Sequence, residues 1–157
     1  MLNIRLLLIS RADILSVMNA DTEERAIRLL TSLTRQGFHF LATAPQPEQW
    51  AGEHGSPDDA LLGPNSIRKR LSDAGGILDG VYYDRRSLLT QKRNREDALQ
   101  EILHRYDAKP RQCVLLSSKR NFVKAARKMG LKATLLDADH ELVQELSNLN
   151  DMGVNED

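Results

Sequence analysis

The chain has 157 residues, 41% hydrophobic and 28% charged, the profile of one soluble globular domain built on a single core. Its 22 basic and 22 acidic residues cancel to a formal net charge of +0, so no global field steers it to nucleic acid or a membrane surface, and neither is expected as a partner. The single cysteine, Cys113, excludes an internal disulfide framework and any cysteine-built zinc cluster within one chain.

Strand-like and helical patterns then alternate along the sequence. The apolar opening, Ile4–Ile9, is too short for a membrane span, lacks a small-residue cleavage site and reads as a buried strand in a cytoplasmic protein. Asp21-Thr22-Glu23-Glu24 has the form of a capping box, with Ile27, Leu30 and Leu33 recurring on one helical face before Gly37. A second strand is predicted over Phe38–Thr43. The stretch from Pro45 to Pro64 carries Trp50 among prolines and glycines and reads as one long loop. A helix over Asn65–Asp73 closes at Gly75-Gly76, and a third strand covers Asp79–Tyr83. Another helix starts near Asn94, turns Ala98, Leu99, Ile102 and Leu103 inward, and stops before Pro110. The remaining elements are a strand over Gln112–Leu116, a helix over Lys119–Met129 ended by Gly130, a strand over Lys132–Leu136 and a helix over His140–Leu149.

Cys113 falls inside one of these apolar strands, where it is expected to be a small buried hydrophobe. The basic runs Arg85-Arg86, Lys92-Arg93-Asn94-Arg95 and Lys119-Arg120 read first as solvated faces. His39, His54, His104 and His140 show no metal-ligand spacing, and His39, between Phe38 and Phe40 in a strand, suits a hydrogen-bonded packing role. Largely apolar strands separated by helices predict a parallel sheet covered on both faces. In such sheets ligands bind outside the carboxyl ends of the strands, which here gathers Ser10–Asp13, Thr43-Ala44, Asp84–Arg86, Ser117-Ser118 and Asp137 around one crevice.

Two segments carry a family resemblance. Leu78-Asp79-Gly80-Val81-Tyr82-Tyr83 is similar to the third strand of the histidinol-phosphate and heptose-bisphosphate phosphatases, and Val123–Lys132 is similar to the helix and turn after their last acidic motif. With the order and spacing of all five strands, the chain resembles the haloacid dehalogenase superfamily from about Ile4 to Asp137. The resemblance implies a Rossmann-like α/β fold in three layers, α/β/α, with a five-stranded parallel sheet, Ile4–Ile9 at its centre and a minimal cap made of loops. One domain is expected over residues 1–149, followed by a polar tail, 150–157, that frays.

Family chemistry, as the resemblance implies it, uses a nucleophilic aspartate, a second aspartate two residues later as acid/base, a strand-two hydroxyl, a lysine and an acidic pair that completes a magnesium site. Here Ser10 stands at the nucleophile position and Ala12 at the acid/base position. Asp13 takes the place of a glycine and is not positioned to take over the attack. In the last motif Ser117 and Ser118 replace a Gly-Asp pair and Phe122 replaces the second acid. Arg11 matches a basic residue between the two aspartates, Thr43 the phosphate-binding hydroxyl and Lys92 the phosphate-binding lysine. The zinc ligands of some members are missing.

The groups that attack phosphorus and hold magnesium are thus replaced, while neutral and cationic phosphate contacts remain. No catalytic residue, metal or cofactor is expected, since magnesium requires hard carboxylate oxygens. The leading expectation is a catalytically inactive phosphatase-like protein that binds a phosphorylated ligand through Arg11, Thr43, Lys92 and Ser118, or a protein partner through the 45–64 loop and Trp50. The alternatives are an active phosphatase with a site rearranged around Asp13, Asp84, Asp137 and Asp139, and a scaffold subunit without a ligand. The sequence leaves the ligand, the partner and the oligomeric state open.

Overall fold

The apolar run near the start of the chain becomes β1 (Leu6–Ser10), where Leu6, Leu7, Leu8 and Ile9 are all fully buried, as a strand covered on both faces requires. The computed structural model describes residues 6–17, 21–45, 66–84 and 91–154. β1 lies at the centre of a five-stranded sheet with β2 (His39–Pro45), β3 (Gly80–Asp84), β4 (Cys113–Ser117) and β5 (Lys132–Leu135). The strand order is β3-β2-β1-β4-β5 and each neighbouring pair is parallel. The chain therefore builds outward from β1 to β3 and then returns to β1's other side. That reversal places a topological switch point at the carboxyl ends of β1 and β4.

Six helices flank the sheet among the described residues: α1 (Arg11–Val17), α2 (Glu23–Arg35), α3 (Ile67–Asp73), α4 (Gln91–Arg105), α5 (Arg120–Met129) and α6 (Leu142–Val154). Alternation along the strands divides the core into two layers. Leu7, Ile9, Phe40 and Val114 face Leu30 and Leu33 of α2, Leu71 of α3 and Leu146 of α6. Leu6, Leu8, Leu41 and Leu115 face Leu99 and Ile102 of α4 and Phe122 of α5. Each fully buried leucine contributes roughly 1.5–3 kcal/mol of transfer free energy. The expected three-layer α/β/α architecture with a central first strand is present. None of these helices is long and apolar enough to cross a membrane.

Two predicted stops rest on backbone geometry. Gly130 takes φ +97° at the C-cap of α5, a left-handed conformation that glycine adopts without cost. At Gly76 a Cβ would come within 2.6 Å of the Leu71 side chain, so the turn after α3 needs its close approach.

The differences from expectation lie at element ends. No helix was expected directly after the first strand, yet α1 begins at Arg11; its seven residues offer too few turns for a readable period. α2 starts at Glu23 with Thr22 as N-cap and no side-chain cap bond, because Thr22 has helical dihedrals (φ −85°, ψ −4°) and the chain enters through a turn; the predicted capping box does not form. The last helix runs past the expected end at Leu149: α6 continues to Val154, and Asn150 Oδ1 accepts hydrogen bonds from Ser32 Oγ and Gln36 Nε2, both 2.6 Å. Those two bonds tie the last turns of α6 to α2. Residues 46–64, with Trp50, and the pair Arg85-Arg86 lie outside the described residues.

Cys113 is fully buried in β4, and burial pushes its thiol up to about 12. Because the thiolate is the reactive form, a disulfide reagent at neutral pH should leave Cys113 unmodified in the folded protein and label it on unfolding in urea. Rapid stoichiometric labelling without denaturant would contradict the packing.

Candidate functional site

Parallel register brings hydroxyl side chains into one row across the carboxyl end of the sheet. Ser10 pairs with Thr43, Thr43 pairs with Tyr82, and Ser117 follows the Ile9–Leu116 pair on the other side of β1. Strand alternation places Ser10, Thr43 and Ser117 on the same face as Leu8, Leu41 and Leu115. Neighbouring members of the row are separated by one strand spacing, about 4.8 Å. Ser10, Thr43 and Ser117 are all buried.

The three inner hydroxyls differ in what they bond. Ser10 Oγ and Ser117 Oγ lie 2.6 Å apart and share a hydrogen bond, and Ser117 Oγ also accepts from the Lys119 backbone N–H at 3.0 Å. Thr43 is only 4% exposed, and its Oγ1 has no hydrogen-bond partner among the described residues. Leaving a buried hydroxyl unpaired costs about 1–3 kcal/mol. At the edge of the row the Tyr82 hydroxyl donates to Glu101 of α4, which also accepts from Arg105 at 2.9 Å, while the Arg105 guanidinium lies 5.5 Å from the Tyr82 ring centroid.

The other positions singled out in the sequence separate. Ala12 is exposed on α1, and Phe122 is 7% exposed, packed in the core under α5 rather than aimed at the crevice. Arg11, half-buried, is the first residue of α1. Lys92 belongs to the first turn of α4, and its side chain lies outside the description, as does that of Asp84 at the end of β3. Ser118 is exposed, and its backbone N–H donates to Asp13 Oδ2 at 2.9 Å. This last contact joins residues 105 apart in sequence, and no local pattern announces it.

Of the candidate acids for a rearranged site, Asp13 and Asp137 line one cleft, and the Asp84 side chain lies outside the described residues. Asp137 Oδ1 accepts from the backbone N–H groups of Asp139 (2.9 Å) and His140 (2.8 Å) and lies 3.1 Å from His140 Nδ1. The bond with the His140 ring, followed by those two N–H groups, holds its carboxyl below the usual range. It shapes the turn before α6. The cleft, of about 430 Å³, is lined in part by Asp13, Ser16, Thr22, Asp137, His140 and Glu141. Among the described residues no three His, Cys, Asp or Glu side chains are grouped to hold a metal ion.

A second polar cluster closes the opposite end of the sheet. His39, the first residue of β2, lies with Nδ1 3.1 Å from Asp79 Oδ2, which also accepts from the Tyr106 hydroxyl at 2.7 Å. The His39 and Tyr106 rings are 5.2 Å apart. Burial and then Asp79 push the Tyr106 phenol up, so it remains a donor. These bonds give His39 the packing role its strand position suggested.

A central first strand and the order β3-β2-β1-β4-β5, with a hydroxyl row at the strand ends, make a Rossmann-like α/β domain. Solved structures that share it include an uncharacterized protein from Corynebacterium glutamicum (TM-score 0.61, 20% identity, covering 94% of this chain and 96% of that one) and the D,D-heptose 1,7-bisphosphate phosphatase of B. bronchiseptica complexed with magnesium and phosphate (TM-score 0.61, 12% identity, covering 98% and 100%). No protein-family model and no curated protein matches the chain.

Proposed function

We propose that this protein binds a phosphorylated small molecule in the crevice at the carboxyl ends of β1, β2 and β4 and does not hydrolyse it. The observation that carries the reading is Thr43: a buried hydroxyl on β2, unpaired among the described residues and in register with Ser10 at the end of β1. An oxyanion there would accept its proton and remove the desolvation penalty. Arg11 at the start of α1 and Lys92 in the first turn of α4 are the cations the reading assigns to the ligand. The likeness in fold to a phosphatase crystallised with magnesium and phosphate supports the location of the site.

Magnesium does not suit the residues present. At the positions resembling the family's acids stand a serine hydroxyl bonded to Ser117, an exposed alanine methyl, Ser118 and a core phenylalanine. None supplies the charged oxygen the ion prefers. The rearranged-site alternative has Asp13 and Asp137 on one cleft, but among the described residues no three His, Cys, Asp or Glu side chains are grouped there to hold an ion.

Thr43→Val tests the binding reading. Valine matches the shape and removes an unpaired group, so the ligand-free variant should be as stable as the parent, or more stable by up to about 1 kcal/mol. Inorganic phosphate should raise the melting temperature of the parent and not of the variant. A parent that does not respond to phosphate or phosphorylated metabolites points to the scaffold alternative, and an equal response in both proteins removes Thr43 from the site.

A further inference from the structure

We propose that Ser10 is a second hydroxyl holding the ligand: Ser10 and Thr43 donate to two oxygens of one oxyanion, and Ser117 acts behind Ser10 as a positioning residue. The inference rests on the binding reading above and adds to it a second binding residue and the number of bare oxygens the bound group offers.

Each serine or threonine hydroxyl has one proton to donate and two lone pairs that accept. Ser10, Thr43 and Ser117 are 1%, 4% and 0% exposed, so bulk water has little access to these protons. One of the three protons lies in the 2.6 Å bond between Ser10 Oγ and Ser117 Oγ. Among the described residues no acceptor takes either of the other two. Whichever serine donates in that bond, the row holds two buried protons in excess, and one of them is on Thr43.

The Ser10–Ser117 bond has a preferred sense. Ser117 Oγ already accepts from the Lys119 backbone N–H at 3.0 Å, at the amino end of α5. Hydrogen bonds in a chain polarise one another, so Ser117 is the better donor and its proton goes to Ser10. The Ser10 proton is then the second one left over, on the strand next to Thr43, its register partner on the same face of the sheet. Residues so paired stand one strand spacing, about 4.8 Å, apart. The oxygens of a phosphoryl group are closer together than that, so each hydroxyl can reach one of them with an O–H···O bond of about 2.7 Å. A single acceptor, such as a carbonyl, would leave one buried proton unpaired.

Calorimetric titration with inorganic phosphate tests the assignment, with the melting temperature of each variant as the check on folding. Ser10→Ala should weaken phosphate binding roughly tenfold or more, the loss of one hydrogen bond to a charged group. Ser117→Ala should weaken it by less, about threefold to fivefold, although Ser117 does not touch the ligand. In the Ser10→Ala/Ser117→Ala double variant the second change should add nothing, because no Ser10 proton remains to be directed, whereas a merely structural role for Ser117 costs the same in both backgrounds. Should the alanine variant unfold, Ser10→Cys, a weak donor of similar shape, gives the same reading. Parent-like affinity on changing Ser10, with Thr43→Val still abolishing binding, overturns the role of Ser10 and leaves the binding reading intact. Additive losses at Ser10 and Ser117 overturn the role of Ser117, and a parent that does not bind phosphate overturns both readings.

Discussion

Incubated with magnesium and a generic aryl phosphate, the protein should release inorganic phosphate no faster than buffer alone. A carboxylate nucleophile makes this chemistry possible by forming an acyl phosphate, and an adjacent acid/base protonates the leaving group. Ser10, at the end of β1, has a hydroxyl engaged with Ser117, and the exposed Ala12 has no ionisable group. Among the described residues no serine–histidine–acid relay replaces them: His39 lies at the amino end of β2 beside Asp79, and His140 bonds Asp137 in the turn before α6. Removing one member of a catalytic set typically costs about 10⁴-fold or more, and here several positions differ together. Continuous phosphate detection with stoichiometric enzyme checks the expectation. Magnesium-dependent turnover abolished by Asp13→Asn or Asp137→Asn would show the rearranged site instead.

Ser10→Asp should destabilise the protein by about 3 kcal/mol at neutral pH, because an ionised carboxylate would be buried where the native residue is 1% exposed. The Ser117 and Thr43 hydroxyls supply at most two donors, which does not offset lost hydration of a charge. Burial therefore raises the folded-state pKa of the new carboxyl above its unfolded value. The sign follows: the two states protonate alike at low pH, and the penalty appears as pH rises above the unfolded value, about 3.9, and grows until the folded value is passed. Urea unfolding at neutral and acidic pH should show the gap to the parent narrowing on acidification. Added magnesium should not close it. Parent-like stability at neutral pH, or recovery with magnesium alone, would mean that the crevice holds a cation after all and would overturn the magnesium-free reading.

The readable part of the fold was the part with periodic or strongly apolar sequence. Leu6–Ile9 and Cys113–Leu116 are apolar without alternation, and the strands they form are covered on both sides. Gly37, Gly75 and Gly130, expected as stops, all take positive φ. Short or context-dependent features escaped. α1 is too brief to show a period, Thr22 caps α2 only through backbone geometry, and the last turns of α6 are held by Asn150 bonding to Ser32 and Gln36 across the domain. Of the site, Ser10, Ala12, Ser118 and Phe122 were singled out through the resemblance alone. The direction of Phe122 into the core and the seating of Asp13 on Ser118 were not legible.

The sequence by itself determined the α/β class, the strands and their order along the chain, and the absence of aspartate from the positions where the resemblance implies it, because these depend on residue type and near-neighbour periodicity. Only the tertiary structure decided which hydroxyls meet. Register between β1, β2 and β4 places Ser10 beside Thr43 and within 2.6 Å of Ser117, more than a hundred residues away, and leaves Thr43 alone without a partner among the described residues. The physical reason is that a hydrogen bond is set by position to within a few tenths of an ångström, whereas sequence patterning constrains which face a residue occupies and not what stands opposite it.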